Sequence, residues 1–219
     1  MKKVAILASL AGALIMTAYA GNTPKTETAV AATEVSAPAK GRVYNAVIEK
    51  IEVKWKGKIV GGEHYGAINL KSGNLTIDKN KVTGGKFVID MNSITVEDIK
   101  DAEYNGKLVG HLKNDDFFSV DKFSTATFEI KALAPIAKAA AGQPNYKVNG
   151  LLTIKGITKP VQFPATITVK NGVANAKGTV TVNRAQYDVK YGSETFFGSL
   201  GDKAIMDDFT INFNVTAKQ

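Results

Sequence analysis

The chain has 219 residues, 44% hydrophobic and 22% charged, with 20 glycines, 6 prolines and 1 tryptophan; this suits one large domain or two small ones and excludes a wholly disordered chain. It contains no cysteine, which excludes a disulfide framework, thiolate metal sites, thiol catalysis and an acylated-cysteine anchor. The formal net charge of +8 suits an anionic surface or ligand, but the lysines are scattered rather than clustered.

Lys2 and Lys3 precede an apolar run from Val4 to Met16, and Ala18-Tyr19-Ala20 follows. A basic head, a short apolar core and a small-x-small end predict a secretory signal peptide over residues 1–20, cleaved after Ala20. The run is too short for the roughly 20 residues that span a bilayer. Export to the periplasm or beyond is therefore expected. Residues 21–41 are rich in threonine and small residues, with Pro24 and Pro38 and no aromatic. Such a stretch buries too little apolar surface to offset its ordering entropy and reads as a flexible linker.

From Arg42 onward the dominant period is two. Ile51, Val53 and Trp55 alternate with charged residues, as do Phe87, Ile89 and Met91 with Val88 and Asp90. The pattern returns at Phe128 and Ile130, at Val148 to Ile154, at Val161 to Val169 and at Phe209 to Val215. Alternation puts one face in a core and the other in water, as antiparallel sheets do. Lys71-Ser72-Gly73-Asn74, Asp78-Lys79-Asn80-Lys81 and Asn171-Gly172 read as hairpin turns. Gly156 to Pro160 reads as the connection into the Val161 strand, where Pro160 and Pro164 predict an edge or a bulge. Between the strand groups, Ser93–Phe118 carries Ile99, Ala102, Leu108 and Leu112 near helical spacing, with a break expected at Asn105-Gly106.

About eight antiparallel strands allow a sandwich or a closed barrel. Gly84, Gly85, Gly150 and Gly178 permit the bending that closure needs, which favours the barrel. Eight strands leave an interior that side chains fill or that holds one small ligand.

Ordered motifs sharpen this reading. Trp55-Lys-Gly-Lys58, Gly62-Glu-His64-Tyr-Gly66, Gly84 to Ile94, Leu108 to Phe118, Phe123 to Phe128, Gly150 to Val161 and Asn183 to Val189 follow one another along the chain. Together, over about Tyr44 to Ala217, they resemble the YceI-like, polyisoprenoid-binding family of exported bacterial proteins. The resemblance implies an extended, lipocalin-like antiparallel β-barrel over residues 42–219, with a helical segment and a tunnel for a long-chain amphiphile such as an isoprenoid or a quinone. It implies no enzymatic activity and no cofactor other than that lipid.

A tunnel of this kind needs apolar walls, a mouth and a few polar groups near the headgroup. Phe87, Ile89, Phe128, Ile130, Leu152, Ile154, Val161 and Phe163 are the candidate wall, although plain core packing explains each equally well. Phe117 and Phe118 follow the helical segment, and one of the pair is expected to cap the core or line the mouth. Phe196-Phe197 reads rather as a hydrophobic plug. His64 and His111 are candidate polar groups at the mouth, either as hydrogen-bond donors and pH switches or as structural turn caps. Arg184 pairs with an acid inside the fold or with an anionic headgroup. With Asp115 or Asp116 the two histidines make no compact ligand set, so no metal is expected.

A four-bond isoprene unit spans about 4.7 Å, so eight units reach about 38 Å. A tilted barrel strand of about ten residues gives a height of only about 25 Å. A fully enclosed ligand is therefore expected to be shorter than eight extended units. Three functions remain open: a non-catalytic lipid carrier, a lipid-modifying enzyme, and an interaction module with a filled barrel. The sequence lacks cysteine, a G-x-S-x-G elbow and a paired-carboxylate motif, which weighs against the enzyme. Dispersed charge behind an export signal weighs against nucleic acid as a partner. Transient contact with an anionic membrane fits that charge better, and the protein is expected to act as a monomer or homodimer.

Overall fold

The computed structural model describes residues 40–219. The signal peptide and nearly all of the linker lie outside the described residues. The chain runs through β1 (Arg42–Ala46), β2 (Glu52–Ile59), β3 (Gly62–Ala67), β4 (Asn69–Asp78), β5 (Lys81–Asp90), α1 (Ala102–Lys113), β6 (Thr125–Pro135), β7 (Tyr146–Ile154), β8 (Ile157–Lys170), β9 (Val173–Asn183), α2 (Glu194–Phe197) and β10 (Ile205–Lys218).

All pairings are antiparallel, in the order β1-β4-β5-β6-β7-β8-β9-β10-β2-β3. β1 also pairs with β10, through Asn45↔Lys218 and Ala46↔Ala217, and this closes the sheet on itself. β1 and β2 share the same edge of β10, separated only by a short 3-10 turn at Ile48–Lys50. β3 and β4 are likewise successive, broken only at Ile68. Each pair therefore acts as one bent strand, and the barrel is closed and eight-stranded.

Three hairpins turn through pairs of residues with positive φ: Lys79-Asn80 (48° and 61°), Lys155-Gly156 (49° and 74°) and Asn171-Gly172 (52° and 71°). Such turns match the right-handed twist of paired strands. The connection into β8 is thus tighter than the Gly156–Pro160 loop read from sequence, because Ile157 already pairs with Ile154. Lys71-Ser72-Gly73-Asn74 is not a hairpin either. It lies inside β4, where a bulge falls between Leu70 and Ser72 and Gly73 pairs with Phe87. The turn-like composition reflects room for that ring, since a Cβ on Gly73 would collide with it.

Pro160 and Pro164 do occupy an edge. β8 pairs with β9 only from Ala165 to Lys170, so Ile157–Pro164 has β7 on one side and no ladder on the other. Two residues without an N–H fit where no partner strand waits.

α1 runs unbroken through Asn105-Gly106, contrary to the break expected there. Asp101 caps its start, accepting from the N–H groups of Glu103 and Tyr104 at 3.0 Å. Asn105 is held by tertiary contacts, its Nδ2 donating to the Val96 and Ile99 carbonyls at 2.9 Å. Those bonds outweigh the low helix propensity of an Asn-Gly pair.

Candidate functional site

Inward-facing side chains leave a cavity of about 260 Å³ inside the barrel. At one pole Tyr44, Ile77, Val82, Ala174 and Ala217 are buried beyond the cavity wall and close it. At the other pole α1 lies over the opening. Leu108, His111 and Leu112, three and four residues apart, present one helix face to the cavity. Met206, an exposed residue, also lines the cavity and marks where it reaches solvent.

The candidate residues come together. Phe87, Ile89, Phe128, Ile130, Leu152, Ile154, Val161 and Phe163 all line the cavity. So do Phe117 and Phe118, both of them rather than one, because they sit in a turn instead of a regular strand. Their rings meet edge to face, centroids 5.3 Å apart. Phe128, Phe163 and Phe213 form an aromatic belt, with centroids 5.5 and 5.6 Å apart. Sequence reasoning did not single out Phe209, Ile211, Phe213 and Trp55 as wall residues, although their alternation carried the signal. Phe196 and Phe197 are not a plug. They lie on the one-turn α2 outside the barrel, Phe197 with 60% of its surface exposed and Phe196 beneath the Lys190 ammonium at 5.3 Å from its ring.

The polar candidates also reach the cavity wall, but their bonding differs. His64 faces inward from β3, opposite Gly57 of β2, which in turn stands opposite Phe209 of β10. Its Nδ1 is 2.7 Å from Asp98 Oδ2, and Asp98 Oδ1 accepts the Tyr65 N–H at 3.0 Å. Burial acts to raise the Asp98 pKa, but the Tyr65 N–H and His64 outweigh it and hold the carboxyl below its usual range. Asp98 is brought there by the segment after β5. Thr95 N–H donates to Ala67 O at 2.9 Å, Glu97 N–H to Tyr65 O at 2.8 Å, and Trp55 Nε1–H to Thr95 O at 2.9 Å. Gly66 permits this approach, since a Cβ there would overlap Thr95 O. No sequence pattern marked Asp98, which reaches His64 only through the fold.

His111 packs its ring edge against Tyr191 at 4.3 Å and stands 4.0 Å from Asp116 Oδ2, beyond hydrogen-bond reach. Arg184 is 3% exposed and bonds the protein itself. Its Nε donates to Met206 O, Nη1 to Val189 O and Tyr191 O, and Nη2 to Ile205 O, at 2.8 to 3.2 Å. Asp207 Oδ1 lies 3.4 Å from Nη2. Of the two roles open to Arg184, the geometry is that of the internal ion pair: the guanidinium stitches the loop after β9 to the start of β10. Among the described residues no cluster of three or more His, Cys, Asp or Glu side chains could hold a metal, and no helix is long and apolar enough to cross a membrane.

Comparison with known proteins follows the same lines. A UPF0312 protein of Pseudomonas aeruginosa strain LESB58 is 33% identical over 101 residues, 46% of this chain and 47% of the relative. One of Yersinia enterocolitica is 34% identical over 104 residues, 48% of each chain. The matched stretch thus spans about half the length of these curated relatives. Among solved structures, BcnA of Burkholderia cenocepacia superposes with a TM-score of 0.59 at 23% identity, over 79% of this chain and 99% of BcnA. A polyisoprenoid binding domain from Saccharophagus degradans gives 0.59 at 16% identity, over 80% and 97%. At such identities these two show a shared fold. Residues 30–217, with β1 to β9, the covering helix and β10 as far as Ala217 among them, match the model of the YceI-like domain, and the chain belongs to that family.

Proposed function

We propose that the protein is a non-catalytic carrier or store for a long-chain amphiphilic lipid, exported to the periplasm or beyond. The observation that carries this reading is the cavity: closed at one pole, walled by aliphatic and phenyl groups, with its polar side chains near the open end. An apolar chain entering it leaves water at about 0.8 kcal/mol per methylene. The Saccharophagus domain of the same fold is named for polyisoprenoid binding, which supports an isoprenoid or quinone-like chain as the ligand class. The absence of cysteine and of a G-x-S-x-G elbow from the sequence supports holding the ligand rather than transforming it. Native mass spectrometry of the purified protein, followed by solvent extraction, tests the reading. A co-purifying or added lipid bound one to one is expected; a protein that takes up no chain of any length overturns it.

Charge supports a further detail. The hairpin tips and strand ends at the closed pole carry Lys40, Arg42, Lys79, Lys81, Lys138, Lys147, Lys170 and Lys218, with Asp78 the acidic side chain among them. The segment over the mouth, from Met91 to Ser124, is rich instead in Asp and Glu. An anionic membrane would attract the closed pole and leave the mouth facing away.

A further inference from the structure

The carrier reading leaves the headgroup open, and the inference that follows rests on that reading. His64 bonds Asp98 through Nδ1, and among the described residues its Nε2 has no hydrogen-bond partner. An ionised carboxylate only accepts, so the proton of the neutral ring sits on Nδ1 and the lone pair on Nε2. Asp98 is well placed to stay ionised, because its second oxygen already accepts the Tyr65 N–H at 3.0 Å. The ring therefore offers an oriented acceptor on the wall of an otherwise apolar cavity, near its open end. Space lies beside it: a Cβ on Gly57, the residue paired with His64, would meet nothing within 4 Å. His111 has no such orienting partner, and the Arg184 donors are already occupied.

We propose that His64, with Asp98 as its positioning residue, receives the headgroup of an amphiphile that ends in a hydroxyl, an alcohol or a phenol. An ether, ester or ketone at the same place sets one lone pair against another and leaves Nε2 unpaired. Sites built to bond a hydroxyl discriminate strongly against analogues that lack it. His64 keeps 31% of its side chain exposed, so solvent softens the penalty, and the expected preference is about tenfold to a hundredfold.

The test uses the full chain and the emission of Trp55, its only tryptophan and a wall residue. Geraniol, its methyl ether and a ketone of similar length are titrated against the native protein, His64→Phe and Asp98→Asn, each checked for its fold by circular dichroism. Geraniol is expected to bind at least tenfold more tightly than the ether, and His64→Phe to bring that ratio to about one with ether affinity little changed. In Asp98→Asn the amide can donate to Nδ1 and move the ring proton to Nε2, so the ketone is expected to gain on the alcohol. A purely structural His64–Asp98 pair would not invert this preference. Equal affinity of the native protein for alcohol and ether overturns the headgroup assignment and leaves the carrier reading standing. Failure of all three to bind overturns the headgroup assignment, and the carrier reading falls with it only if native mass spectrometry shows no longer chain bound either.

Discussion

Phe213 of β10 stands directly across from Gly178 of β9, and a Cβ on that glycine would come within 2.9 Å of the phenyl Cζ. The ring lies over the space that the glycine leaves on the neighbouring strand. Gly150 gives the same room to Phe128, and Gly73 to Phe87. Glycine in these strands therefore sets how far each phenyl projects into the cavity. Gly178→Ala and Gly150→Ala are expected to lose about 1–3 kcal/mol of stability through overpacking. They should also weaken lipid binding, because the displaced ring turns inward. Urea denaturation reads the first effect and Trp55 emission the second. Phe213→Leu in the Gly178→Ala background should recover the part of both that the ring causes, while the contact of the new Cβ with Pro164 O, also at 2.9 Å, remains. Lipid binding no better than in Gly178→Ala alone would refute the pairing.

Arg184 gathers four backbone carbonyls and Asp207 at the mouth. Truncation to Met leaves the Asp207 carboxylate uncompensated and the carbonyls without donors. Breaking a buried pair in this way costs about 3–5 kcal/mol. Arg184→Lys should rescue little, because one ammonium cannot reproduce a planar fork with donors on three nitrogens. Chemical denaturation of both variants checks this. A lysine variant as stable as the native protein would mean that charge alone, rather than the fork, holds the loop.

The strands were legible because one inward face repeats Phe, Ile and Val at period two, and the wall residues followed from that face. Two local readings failed where tertiary contact overrode composition. Ser72-Gly73 resembles a turn but makes room for Phe87, and Asn105-Gly106 resembles a helix break but is pinned by two carbonyls. The partners of the polar groups were not legible. Asp98 lies 34 positions from His64 and Asp207 lies 23 from Arg184, distances over which no periodicity connects residues. Seven ordered motifs named the family, but only the closed barrel brings His64 and Asp98 together.

Acid should weaken the protein partly through Asp98. Its folded pKa lies below its usual value, so the stability it contributes is fully present above the unfolded value of about 3.9 and is lost as pH falls through the folded one. Asp98→Asn removes this term at every pH. Thermal denaturation from pH 6 down to 2.5 should show a shallower acid decline for Asp98→Asn than for the native protein. Parallel acid limbs would mean that Asp98 carries no such linkage.

The cations at the closed pole predict an orientation as well as an attraction. Binding to vesicles containing phosphatidylglycerol should weaken as salt shortens the Debye length from about 10 Å at 0.1 M to about 3 Å at 1 M. Charge reversal of Lys79, Lys81 and Lys170 together should abolish most of it. Reversal of Lys107, on the helix over the mouth and already paired with Glu103 at 2.6 Å, should leave it nearly intact. Cosedimentation at two salt concentrations reads both, and equal loss from the two sets would remove the polar asymmetry.

Cavity size sets the chain length that can be enclosed. An apolar cavity of about 150 Å³ takes benzene, with six carbons. By the same proportion the 260 Å³ here holds about ten carbons, or two isoprene units. Each methylene that enters contributes about 0.8 kcal/mol, close to a fourfold gain in affinity. Across straight-chain alcohols the dissociation constant should therefore fall about fourfold per carbon up to about ten carbons, then level off as further carbons remain in the mouth or in water. Replacing Leu152 or Ile154, both on the wall, by Ala should move that break to longer chains. A dissociation constant that keeps falling to twenty carbons would show that the belt of Phe128, Phe163 and Phe213 yields to the ligand and that the closed pole opens behind it.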